Sequence, residues 1–257
     1  MLTPDRRTRR VDDPGVTTFA RYAFAPNELG YCGPEDFVEL LHGEPSRIAE
    51  RANEFEGAWA YLVTLAEAIG NRDPLDAAIV HAYWVGDDLL AQVDPQVLLD
   101  NLRARIRGPA TGLLHSVAAA AKPPAHHNFH VLAVYPWVTL LHVDDTTPLS
   151  ILQNCCIRAG EVESVHGDVA RVSRRELSFD GAHLSLGSPT TAPARWRLPG
   201  HEMIAEPVAG LSVSLHWDWI CGVLEPSEAA QLEMITQRVL DIVNPCLDAL
   251  RDGRRTK

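Results

Sequence analysis

The sequence predicts an α+β protein: an N-terminal helical domain over residues 1–148, then a small β-barrel with a C-terminal helix over residues 149–257. Three observations carry this. Apolar residues recur at helical spacing through the first half. From about residue 150 the pattern changes to short alternating runs punctuated by turn residues. Between the two, Asp144-Asp145-Thr146-Thr147-Pro148 reads as a turn and a boundary.

In the first half, "CGPEDFVELLHG" places Pro34 at a first helical position and Gly43 as a stop. "SRIAERANEFEGAWAYLVTLAEAIG" follows, with Ile48, Ala52, Phe55, Trp59, Leu62, Ala66 and Ile69 on one stripe. Two further helices are expected after Asp73-Pro74 and Asp94-Pro95, where Asp can cap and Pro fits the first turn. An alanine-rich helical segment is expected near 110–121, before Pro123-Pro124. The run "HHNFHVLAVYPWVTLLHV" (126–143) is apolar core, and periodicity does not separate helix from strand there. In the second half, "GEVESVHGDVARV" turns at Gly167-Asp168 and "LSFDGAHLSL" at Asp180-Gly181, two hairpin signals. "ARWRL" and "GLSVSLHWDWI" read as further strands, and a helix closes the chain from Pro226 to Leu250.

A formal net charge of -11 argues against nucleic acid or anionic membrane as a partner. The basic clusters Arg6–Arg10 and Arg251–Lys257 read as solvated tails. No apolar run is long enough to span a bilayer, and Asp12, Asp13 and Pro14 follow the N-terminal arginines where a signal peptide would carry apolar residues. Five cysteines, an odd number, do not read as a disulfide framework, so the expected compartment is the cytoplasm.

Two matched segments then carry a resemblance. Cys155 stands five residues before Gly160, followed by Val162, Val165 and Gly167-Asp168. Later, "AGLSVSLHWDWICGVLEPSEAAQLE" supplies Gly210, Val213 and His216, then Leu224, Glu225 and Glu228. In order and spacing, residues 150–240 resemble the HypC/HupF family of hydrogenase maturation chaperones. The whole chain also resembles an uncharacterised bacterial family of about its size. The HypC/HupF resemblance implies an OB-like β-barrel (oligonucleotide-binding type). It also implies a Cys155/His216 pair holding iron as a cyanide- and carbonyl-ligated fragment, and as partners metal-centre maturation proteins or a hydrogenase large subunit. Cys155 is internal here, where the family's cysteine follows the initiator methionine, and Ala159 stands where the family has proline.

The chemistry of the residues fits that expectation. Thiolate is a soft ligand suited to iron with strong-field ligands, and a nearby imidazole can ligate or shuttle a proton. Cys156, on the opposite strand face, reads as core. Asp218, two residues from His216, is expected on its face as an orienting partner. An alternative metal cluster is His126, His127 and His130, with His126 and His130 sharing a face on either a helix or a strand; it would serve a metal-dependent enzyme. Cys32, beside Glu35 and Asp36, reads as a possible reactive thiol at a helix N-terminus or as a structural cysteine at a turn. Trp59, Trp84 and Trp137 read as packing. Three classes remain open at this point: an assembly factor, a metal enzyme, and a binding module that keeps the barrel without its chemistry.

Overall fold

The computed structural model describes residues 13–35, 37, 39–106 and 111–255. The Arg6–Arg10 cluster, Asp36 and Lys257 lie outside the described residues.

Helix α1 (Pro14–Glu28) opens the fold, with Asp13 accepting from the Val16 N–H and Pro14 in the first turn. The sequence reading passed over this helix, although its Asp-Pro start is the device read at Asp94-Pro95, and it proves central to the site. Among the described residues, helix α2 (Glu39–His42) is what forms of the first helix expected. The expected long helix is broken into α3 (Pro45–Arg51), a 3-10 turn at Ala52–Glu54 and α4 (Glu56–Ala68). The break falls at Phe55, whose ring packs edge-on against Phe19 of α1 at 5.2 Å and against Gly33, where a Cβ would clash at 2.3 Å.

Helix α5 (Ala77–Trp84) is capped by Asp76 rather than Asp73, which instead closes a turn onto the Leu75 N–H. Helix α6 (Pro95–Arg105) starts as expected, Asp94 accepting from Gln96 and Val97. Over the described part of the alanine-rich segment, residues 111–121, the only helical stretch is the 3-10 turn Ala119–Ala121. The ambiguous run 126–143 is helical: α7 (His127–Phe129) continues into a π-helical turn (His130–Val134), then a 3-10 turn begins at Pro136. Single π turns are frequent at functional sites because they re-aim side chains.

Helix α8 (Thr146–Cys155) replaces the expected turn, with Pro148 tolerated in its first turn, so residue 148 lies within a helix. The strands are β1 (Arg158–His166), β2 (Val169–Phe179), β3 (Leu184–Arg195), β4 (Arg197–Leu198), β5 (His201–Glu202), β6 (Ser212–His216) and β7 (Trp219–Val223). Five close into a barrel in the order β1-β2-β3-β7-β6, and β4 with β5 forms a separate ribbon. Both expected hairpins form: His166 pairs Val169 across Gly167-Asp168, and Phe179 pairs Leu184 across Asp180-Gly181. "GLSVSLHWDWI" is two strands, because Trp217 and Asp218 make a tight turn between His216 and Trp219.

Val162, Val172, Val213, Leu215 and Ile220 fill the barrel. A larger core joins α1, α4 and α5 with the end of α8, Trp219 and Cys221 of β7, and α9 (Pro226–Arg255). Arg251 lies in α9 and pairs with Asp248, which corrects its reading as a tail residue. Among the described residues, no helix is long and apolar enough to cross a membrane.

Candidate metal centre

The barrel is docked on the helices by two polar clamps, and each brings a candidate ligand to Cys155. The first is Asn128. Its side-chain oxygen accepts from the Ile157 N–H at 2.8 Å, and its amide donates to the Ile157 carbonyl and to the Thr236 hydroxyl of α9, both at 2.9 Å. Since Asn128 follows His127 and Ile157 lies two residues past Cys155, this lock sets His127 beside Cys155. The second is Trp217, whose backbone N–H donates to the Asn154 carbonyl at 2.7 Å. Asn154 and Trp217 adjoin Cys155 and His216, so that bond draws the other pair together.

The outcome is that one ligand atom each of His127, Cys155 and His216 lies within 4.8 Å of the others, with all three residues buried. The expected pair and one member of the alternative histidine cluster are therefore parts of a single constellation. Cys155 occupies the last turn of α8 and Cys156 its C-cap, so the two thiols diverge at a helix end and not along a strand. Cys156 is 1 % exposed and packs in the core.

Hydrogen bonds fix the imidazole tautomers. His216 Nδ1 lies 2.6 Å from the Tyr22 carbonyl of α1, which only accepts, so Nδ1 carries the proton and Nε2 the lone pair. That Nε2 is buried with no hydrogen-bond partner. A carbonyl orienting one ring nitrogen and leaving the other bare is the arrangement that metal-ligating histidines use. His127 Nε2 is 3.1 Å from the Cys155 carbonyl, which only accepts, so in the metal-free chain Nε2 carries the proton and donates to it. His127 Nδ1 meets the Tyr83 hydroxyl at 2.9 Å. The Tyr83 hydroxyl then donates to Nδ1, and ligation through Nε2 would require the proton to move to Nδ1 with the hydroxyl turning to accept it. A buried lone pair and a thiol converging with a second imidazole fit a borderline or soft transition metal such as iron, cobalt or zinc.

Burial governs the electrostatics. It pulls His216 and His130 down to about 4 and His126 to about 3, and holds His127 well below the ordinary imidazole range. It pushes the Cys155 thiol well above the ordinary thiol range, partly opposed by the Trp217 side chain and the Arg158 guanidinium. The Trp84 ring walls the site, with its centroid 4.5 Å from that of His127 and 5.7 Å from that of His216, a role beyond packing alone.

A cavity of about 760 Å³ opens from Cys155 and His127 into the helical half, lined also by Tyr31, Cys32, His130 and Tyr135. His130 fits there because Gly57 lies beneath it; a Cβ would meet its Nε2 at 2.8 Å.

Three expectations are corrected by this geometry. Asp218 does not orient His216: it sits in the tight turn, exposed, with its carboxylate 3.8 Å from Arg195, and the Tyr22 carbonyl takes the orienting role. His126 and His130 do not share a face. His126 is the N-cap of α7, its Nδ1 accepting from the Asn128 N–H, and it is His127 and His130 that look into the cavity. Cys32 is not at a helix N-terminus: among the described residues, no helix begins between the end of α1 at Glu28 and Glu39. The residue as a whole is exposed, but loss of solvent where it lines the cavity pushes its thiol up to about 12, the reverse of an activated thiolate.

Sequence reasoning missed Tyr22, Tyr83 and Asn128. Only Asn128 carried a signal, a lone amide inside an otherwise apolar run.

Fold and site define an α+β protein with a closed five-stranded barrel docked on a helical layer, and a His/Cys/His constellation at the junction. The chain belongs to DUF6390, a family of unknown function, whose profile matches residues 11–249. No curated protein and no solved structure matches it.

Proposed function

We propose that this protein is an accessory factor in metal-centre assembly, holding a metal fragment on His127, Cys155 and His216. The observation that carries the reading is the convergence of those three ligand atoms within 4.8 Å, one of them a buried lone pair with no partner. Three protein ligands leave a first-row metal at least one position for an exogenous group, and the cavity supplies space for it. The cargo read from the sequence, iron with cyanide and carbonyl ligands, suits a thiolate with imidazole partners. Support for nickel–iron hydrogenase as the destination comes from the likeness of residues 150–240 to the HypC/HupF chaperones, and from a closed barrel followed by a helix, as the OB-like fold of that family requires. In this reading the helical half walls the site and takes the place of a recruited partner, and maturation proteins or a hydrogenase large subunit would receive the cargo.

A second reading, a metal-dependent enzyme, is favoured by one observation: the cavity, at about 760 Å³, falls within the size range of small-molecule sites. In that enzyme His127 and His130 would face the substrate.

Anaerobic loading with iron(II) or cobalt(II) tests the shared core of both. One metal per chain is expected in the wild type and in Cys156→Ala, and none in Cys155→Ala or His216→Ala. Equal loading in all four overturns the assignment. Stoichiometric release of iron to a maturation partner separates the assembly factor from an enzyme, which would retain its metal through many turnovers.

A further inference from the structure

Arg158 opens β1, and Arg174 of β2 pairs in register with Gly160. Residues two apart on a strand share a face, so Arg158, Gly160 and Arg174 all project to one side of this sheet. That side is the barrel interior: a Cβ on Gly160 would meet Val172 at 2.5 Å and Leu215 at 3.1 Å, and both of those fill the barrel. Two arginines therefore stand together on the inward face, at the end of the barrel where β1 begins. Arg158 is 6 % exposed and Arg174 is 8 % exposed.

A guanidinium stays charged throughout the working pH range, and burying it without a counter-charge is strongly unfavourable. The cross-strand neighbours supply none: Gly160 has no side chain, Leu215 opposite Arg158 is apolar, and Thr190 opposite Arg174 is neutral. Arg158 Nη2 donates to the Trp217 carbonyl at 2.8 Å, which answers one donor and no charge. The Glu176 carboxylate lies 3.6 Å from Arg174 Nε, an ion pair too long for a hydrogen bond. Asp218, exposed in its turn, pairs with Arg195 at 3.8 Å. Nε and Nη1 of both arginines are buried with no hydrogen-bond partner. Two cations thus share one carboxylate, and one positive charge is left over with four donor nitrogens unanswered.

We propose that Arg158 and Arg174 form an anion site at this end of the barrel, which takes a single carboxylate group. Charge selects the class: one uncompensated unit matches a monoanion and not the dianion of phosphate. Geometry agrees, since a guanidinium presents planar pairs of N–H groups that match the two oxygens of a carboxylate. Arg174 is the outer member, and its partly exposed neighbour Glu176 marks the side from which the ligand enters. A free small acid and a carboxylate borne by another chain offer the same group to this site. The site uses none of the three metal donors, so it stands apart from the metal-holding reading.

The test titrates the full chain, kept metal-free with a chelator, with sodium acetate against sodium chloride at equal ionic strength. Calorimetry should show one acetate bound per chain, and a hundredfold excess over Kd should raise Tm by roughly 5–10 °C, with no such effect from chloride. Arg174→Gln should weaken acetate binding by about tenfold or more, and Arg174→Lys, which keeps the charge without the planar fork, should fall between. Glu176→Gln removes the competing carboxylate and should tighten acetate binding severalfold, a gain that a poorly folded variant cannot produce. Acetyl-tetraalanine with a free or an amidated C-terminus separates the two sources. Binding of the free-acid peptide as tight as that of acetate assigns a carboxylate of another chain, and binding of acetate alone assigns a free small acid. The proposal is overturned if acetate acts no differently from chloride, if inorganic phosphate binds and acetate does not, or if the three variants leave acetate binding unchanged.

Discussion

Burial acts on the ligands in opposite directions: it raises the Cys155 thiol well above its ordinary range and lowers His216 to about 4. Near neutral pH the metal-free centre therefore holds a protonated thiol and neutral imidazoles. Metal binding must expel the thiol proton, whereas above about pH 5 the histidines are already neutral and contribute no net proton release. The sign follows: each unit of rising pH makes the one proton ten times easier to lose, so apparent affinity should climb about tenfold per unit between about pH 5 and pH 8. Proton release measured with an indicator dye should be one per metal bound. Release of none would mean that Cys155 is already a thiolate or is not a ligand.

Between elements, the decisive contact is the Asn128 clamp, which satisfies both backbone groups of Ile157 and reaches α9 through Thr236. Asn128→Ala removes three buried hydrogen bonds and leaves the Ile157 N–H and C=O without partners. At about 1–3 kcal/mol for each group so stranded, the expected loss is roughly 2–6 kcal/mol, read as a lower urea midpoint at unchanged slope. Metal binding should weaken with it, since His127 adjoins the clamp. A midpoint within about 0.5 kcal/mol of wild type would show that the docking does not depend on Asn128. This is also where the sequence was least legible. The hairpins were readable because Gly167-Asp168 and Asp180-Gly181 are local signals, whereas the nearness of Cys155 and His216 was expected only from a resemblance. That His127 joins them depends on the short helix α7 packing against a helix end 28 positions away, and no local pattern encodes such a contact. Trp217-Asp218 was read as strand because its aromatic flanks are strand formers, and the turn there obeys a tertiary demand instead.

Across the molecule, the larger core runs without interruption from α1 through α4 and α5 to β7 and α9. Helices and barrel should accordingly unfold in one transition. A metal that binds only the folded chain stabilises all of it, by about 2.7 kcal/mol at a hundredfold excess over Kd. For a chain of this size that corresponds to a rise in Tm of roughly 5–10 °C, absent in Cys155→Ala. Calorimetry showing two separate transitions, with metal moving only one, would contradict a shared core.

One bond in this core has a consequence for when the centre can be filled. His216 is aimed by the carbonyl of Tyr22, a partner 194 positions earlier in the chain. During synthesis Tyr22 leaves the ribosome long before His216 exists, and Cys155 waits through some sixty further residues for its second imidazole. A nascent chain thus offers a metal only scattered donors with no fixed geometry. On the proposed reading, the centre becomes competent once β6 has closed the barrel and α1 has docked on it, which would make metal loading an event in the life of the finished protein and not a step in its making.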